Sequence, residues 1–186
     1  MTRMPFFRRT FFVLPAIALL SACASAPRSA DPTAPVAQAP AIAQAGTARG
    51  GVANLASASG TLVSGRLMLA PDAGGVRVRG EVGGLVRNGT HNLRVHVRGN
   101  CSAVDATSAG PEFDAATGQA STQPDSGERG RIVADAQGVA TLDLLLPGAV
   151  LGGGAANDIV GRSLLVLGAT PGAIGARVAC GVVQAQ

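Results

Sequence analysis

From about Val52 the chain settles into short runs in which apolar and polar residues alternate, the period-two signature of strands that bury one face. Residues 61–69 form one such run. It meets the turn-forming stretch Pro71-Asp72-Ala73-Gly74-Gly75, after which Val76-Arg77-Val78-Arg79-Gly80-Glu81-Val82 alternates strictly and predicts a half-exposed strand. Leu93, Val95 and Val97 interleave with Arg94, His96 and Arg98, so this strand should carry one apolar and one polar face. Arg94 and His96 leave it on the same side, and His91 has the opposite parity. Further strands are expected over residues 131–134, 139–146, 159–167 and 177–183, with turns at Asp135-Ala136-Gln137-Gly138 and Gly152-Gly153-Gly154. About eight short strands with glycine-rich turns and no helical period predict an all-β sandwich or barrel. Residues 102–130 have no period and are rich in Ser, Asp, Gly and Thr. An unpatterned loop of that length in a small domain is usually functional or tied down against the fold.

The N-terminal part reads differently. Arg3, Arg8 and Arg9 followed by an apolar stretch too short to span a bilayer make residues 1–22 an expected export signal. It ends Leu20-Ser21-Ala22-Cys23, an aliphatic residue, two small residues and a cysteine, which fits the bacterial lipobox. Lipidation of Cys23 is therefore expected, placing the protein in a bacterial cell envelope. Ala24, where an Asp would retain the protein at the inner membrane, points to the periplasmic face of the outer membrane. Residues 23–51 are rich in Ala, Pro, Gln and Ser and predict a disordered or extended tether. The folded domain is then 52–186, roughly 135 residues, enough to bury a core.

Charge excludes one class of partner. Loss of Arg3, Arg8 and Arg9 from the 15 basic residues leaves 12 against 11 acidic ones, so the mature chain is close to neutral. No basic cluster is interleaved with aromatic residues, and a nucleic-acid role is set aside. The two cysteines of the folded part, Cys101 and Cys180, are most simply a disulfide in an exported protein.

Both histidines lie in residues 88–101, and here the chain resembles a known family. Gly89-Thr90-His91-Asn92-Leu93-Arg94-Val95-His96, running on to Gly99-Asn100-Cys101, resembles the copper/zinc superoxide dismutase signature Gly-x-His-Gly-Phe-His-Val-His with its Gly-Asn/Asp-Cys. Ser108-Ala109-Gly110-Pro111-Glu112-Phe113 resembles the family's Ser-Ala-Gly-Pro-His-Phe. Asp135 to Ala140, Gly161-Arg162-Ser163-Leu164 and Gly175 to Val183 resemble its hairpin, its Gly-Arg-Ser/Thr-Leu strand and its C-terminal signature. The resemblance implies an eight-stranded Greek-key β-barrel with a Cys101–Cys180 bridge.

It also implies a metal site that this chain does not reproduce. The family holds copper with four histidines, one shared with zinc, and zinc with two further histidines and an aspartate. Matching positions here carry Arg94, His96, Glu112 (the bridging position) and Leu167 for copper. On the zinc side Asp125 stands near a histidine position and Glu128 near the aspartate. His91 matches a structural family histidine, and Arg177 matches the arginine that attracts superoxide. Redox copper needs several imidazoles, and a guanidinium adds a charge that cannot be lost. The segment between Leu167 and Arg177 is also short for the charged loop that steers superoxide in active relatives.

The expected function is accordingly a structural or binding module of the envelope with no cofactor and an envelope protein as partner. The alternatives are a residual or partner-assisted dismutase with copper at His96, and a calcium or magnesium module built from Glu112, Asp125 and Glu128. Arg94 and Glu112, aimed at one point, are expected to form a salt bridge with Arg177 close enough to share the carboxylate.

Overall fold

The computed structural model describes residues 39–123, 129–169 and 175–186. Within them the strands are β1 (Gly51–Ser57), β2 (Ser64–Asp72), β3 (Gly75–Gly83), β4 (Thr90–His96), β5 (Phe113–Asp114), β6 (Gln119–Ala120), β7 (Arg131–Val133), β8 (Ala140–Pro147), β9 (Ser163–Leu167) and β10 (Arg177–Ala185), with one 3-10 turn at Thr107–Ala109. Eight of them form one antiparallel sheet in the order β7-β4-β9-β10-β1-β2-β3-β8, curled into a nearly closed barrel. β4 beside β9 and β1 beside β10 are the Greek-key crossings. β5 and β6 pair only with each other.

Alternation sorts the side chains. In β3, Val76, Val78 and Val82 are fully buried while Arg79 and Glu81 face out. Gly80 has the inward parity but stands opposite Leu67, and a Cβ there would collide with the Arg66 carbonyl and crowd the Leu67 side chain. The missing side chain lets Leu67 fill the space, and burying a leucine contributes roughly 1.5–3 kcal/mol.

Three element bounds differ from the pattern for identifiable reasons. β2 starts at Ser64, not 61, because Thr61 is held in a turn: its N–H donates to Ala58 O and its hydroxyl to Val178 O at 2.6 Å. Pro71 and Asp72 continue the ladder opposite Val76 and Gly75, so the turn narrows to Ala73-Gly74, with Gly74 at φ 77°. β9 starts at Ser163 because Arg162 N–H closes a turn on Ile159 O through Gly161 at φ 78°.

The domain also begins earlier than expected. Residues 39–50, assigned above to the tether, lie along the barrel. Ala156 N–H donates to Ala41 O, Ala48 N–H to Leu151 O and Thr47 N–H to Gly152 O. Asn157, fully buried, takes Ala43 N–H on Oδ1 at 2.9 Å and returns Nδ2–H to Ala43 O at 2.8 Å. Gly46 presses its backbone on Leu151, leaving no room for a Cβ. This strap is built from backbone bonds, which no hydrophobic period could announce. The export signal, Cys23 and the remainder of the tether lie outside the described residues.

Two apolar clusters result. The larger fills the barrel with Leu67, Val78, Leu93, Val95, Leu164, Val166 and their neighbours. The smaller lies on the outer side of β9 and β10, where Leu165, Leu167 and Cys180 pack with Ala58, Ala106 and Ala109 beneath the loop that follows β4. The Cys101–Cys180 disulfide pins that loop down.

Candidate functional site

Opposite residues of antiparallel strands share a face. Arg94 pairs with Leu165 and His96 with Ser163, so both polar side chains lie on the outer face of the β4–β9 pair, with Leu93 and Val95 inside. That outer face was expected to be polar, and it is also covered. Arg94 and His96 are each only 4 % exposed. The chain doubles back after β4: Val97 N–H donates to Pro111 O, Arg98 N–H to Ala109 O, and His96 bridges to Glu112. The unpatterned loop is thus a tied-down cover that brings Glu112 against β4.

Gly110, at φ 75°, organises the centre of the site. Its carbonyl accepts a hydrogen bond from His96 Nδ1 at 2.8 Å and another from Arg177 Nη2 at 2.7 Å. A carbonyl only accepts, so Nδ1 carries the imidazole proton and Nε2 keeps its lone pair. His96 Nε2 is buried and, among the described residues, has no hydrogen-bond partner. Burial pushes the His96 pKa down, the Gly110 bond opposes this, and the charges of Arg177 and Arg94 lower it further.

Arg94 bridges two parts of the cover. Its Nη1 donates to Arg129 O, and its Nε faces Glu112 Oε1 at 3.6 Å, an ion-pair distance slightly longer than a hydrogen bond. Arg177, expected to share the Glu112 carboxylate, instead donates to the carbonyls of Ala106 and Gly110, both at 2.7 Å. Leu167 closes its position with hydrocarbon in the smaller cluster. His91, buried on β4, donates Nδ1–H to Leu167 O at 3.0 Å and so ties β4 to the end of β9. Asp125 and Glu128 lie outside the described residues.

A match over residues 63–183 to the family described as copper/zinc superoxide dismutase (SODC) decides the relationship. The chain belongs to the copper/zinc superoxide dismutase family. The superoxide dismutase metal site can now be tested against the residues present. Of its copper positions one imidazole remains, beside a buried guanidinium, a carboxylate paired with that guanidinium, and a leucine. Among the described residues no three His, Cys, Asp or Glu side chains converge where a metal ion could sit. This donor set does not fit a superoxide dismutase copper centre.

Two functional-looking residues escaped the sequence reading. Arg162, noted only as part of a strand motif, lies over the Phe113 ring at 3.6 Å and donates to three carbonyls. Asp158, read as nothing, accepts N–H bonds from Gly152, Gly154 and Val160 and shapes the glycine-rich turn. Their four-residue spacing was the available signal.

Proposed function

We propose that this protein is a lipid-anchored envelope protein whose superoxide-dismutase-like barrel works as a structural or binding module in place of a dismutase. The observation that supports this most is Arg94 facing Glu112 where two copper ligands stand in the family. A redox copper must be held in both oxidation states by several imidazoles, and a fixed cation at the centre opposes any metal cation. What the metal does mechanically in relatives, joining loop to barrel, is here given to side chains: Arg94 to Glu112 and Arg129, His96 and Arg177 to Gly110.

The test is metal content. The full chain is exposed to Cu(II) and Zn(II), freed of excess metal, and assayed for bound metal and superoxide consumption. The reading expects far less copper than protein and no dismutation. Stoichiometric copper with superoxide turnover overturns it. The anchor is tested separately: Cys23→Ser should release the protein from the membrane fraction, and a variant that stays there removes the lipoprotein part of the reading.

One observation favours a second reading. His96 Nε2 keeps an unshared lone pair on a buried imidazole, so a partner protein that supplied further ligands would find one donor in place. This partner-assisted dismutase predicts copper uptake only when envelope extract is added, and uptake that disappears in His96→Gln.

A further inference from the structure

A cavity of ≈ 760 Å³ is bounded by the strap at Ile42, the β5–β6 turn at Gly118, the glycine-rich turn at Ala155 and the approach to β9 at Asp158 and Arg162. Seven of the fifteen described residues that line it are Ala or Gly. Arg162 is the one cation among its lining residues. Its guanidinium sits on Phe113, with Nε donating to Asp158 O at 2.7 Å, Nη1 to Val97 O at 3.0 Å and Nη2 to Ala156 O at 3.3 Å. A guanidinium has five N–H groups, so one remains on each terminal nitrogen. Among the described residues no carboxylate forms an ion pair with it. Asp158 is near, but its oxygens are taken by the N–H groups of Gly152, Gly154 and Val160. Burial lowers the Arg162 pKa and the charge of Asp158 only partly opposes this.

A half-buried cation whose neighbours are carbonyls is stabilised further by any anion that can reach it, and the attraction is stronger there than in open water. Two adjacent terminal nitrogens match the two oxygens of a carboxylate. The volume lies in the range of small-molecule sites. Walls of small residues leave backbone groups accessible, which suits a ligand with amides of its own. We infer that this cavity binds a small carboxylate of short-peptide size, its carboxylate on the two remaining N–H groups of Arg162 and its body along the strap. None of the copper positions Arg94, His96, Glu112 and Leu167 is among its lining residues.

The probes are N-acetyl-alanyl-alanine with a free carboxylate, the same compound as its C-terminal amide, and inorganic phosphate. Each is titrated into the ¹⁵N-labelled full chain while the Arg162 Nε–H and the amides of Gly118 and Ala155 are followed. The acid should shift all three, and the amide and phosphate should need at least about ten-fold higher concentration. Arg162→Gln also removes three structural hydrogen bonds, so the deciding variant is Ala155→Leu, which fills the cavity and keeps the guanidinium; it should abolish the shifts while the other resonances stay in place. Equal response to acid and amide, equal response to phosphate, shifts that persist in Ala155→Leu, or no shift at all would each overturn the assignment.

Discussion

Arg94 Nε and Glu112 Oε1 stand 3.6 Å apart, the arginine 4 % exposed and the glutamate 23 %. One partner is on the barrel wall and the other on the cover, so the contact adds a side-chain link beside the single His96–Glu112 backbone bridge that joins them there. Glu112→Gln keeps the shape and removes the charge, leaving the buried guanidinium uncompensated on that side. The expected loss is about 1–3 kcal/mol in urea unfolding of the full chain. An unchanged unfolding midpoint would show that the pair contributes no more than an exposed one.

His96 sets a pH dependence whose sign follows from its lowered pKa. The unfolded chain binds the proton at about pH 6.5 while the folded chain resists it. Between those two pKa values the unfolded state holds more protons, so stability falls as pH drops below about 6.5 and levels off beneath the folded value. His96→Gln should flatten this slope. Unfolding free energies measured from pH 7.5 to 5 on both chains check it, and parallel curves would assign the slope to other groups.

Cys101 and Cys180, 79 residues apart, pin the cover over the smaller apolar cluster. Cys101→Ala should cost about 2–5 kcal/mol, as for other native disulfides closing long loops. The cover should also loosen first: hydrogen exchange at Ala106 and Ala109 is expected to rise more than at Val78. Uniform acceleration would mean that the bridge stabilises the whole barrel and not the cover.

Asn157 supports the strap through a paired contact with Ala43 and a third bond to Gly148 O at 2.6 Å. Asn157→Ala removes these from a buried position and should cost about 1–3 kcal/mol, a group of lost hydrogen bonds with unsatisfied backbone left behind. Proteolysis within residues 39–48 is expected to accelerate well before the barrel is cut. Strap and barrel that become susceptible together would make the strap an integral strand of the fold.

The alternation of Val76, Val78 and Val82 with Arg77, Arg79 and Glu81 was legible because one face meets the core and the other meets water. At Arg94 and His96 the same rule gave the shared face and not its burial. Period two reports only that these side chains share a face, and the loop that covers that face carries no period of its own. Glu112 could be placed beside Arg94 through family positions, whereas Arg177 could not be assigned its carbonyl partners, because which acceptor a guanidinium finds depends on the path of a loop backbone. The strap was missed for a related reason: Asn157 recognises the backbone of Ala43, and backbone is the same at every residue.

The position of β10 in the sheet bears on when the protein can fold. β10 separates β9 from β1, and without it the sheet falls into two pieces, β7-β4-β9 and β1-β2-β3-β8, with no ladder joining them. Of the described strands β10 comes last in chain order, so the strand that joins the two pieces is the last of them to be made, and Cys180 comes with it. Until β10 has emerged a nascent chain can form hairpins but cannot join the two pieces, a wait that non-local pairing imposes. For the exported chain proposed above, such a topology would act as a timer wherever the chain crosses the membrane unfolded: translocation could finish before there is a fold to oppose it.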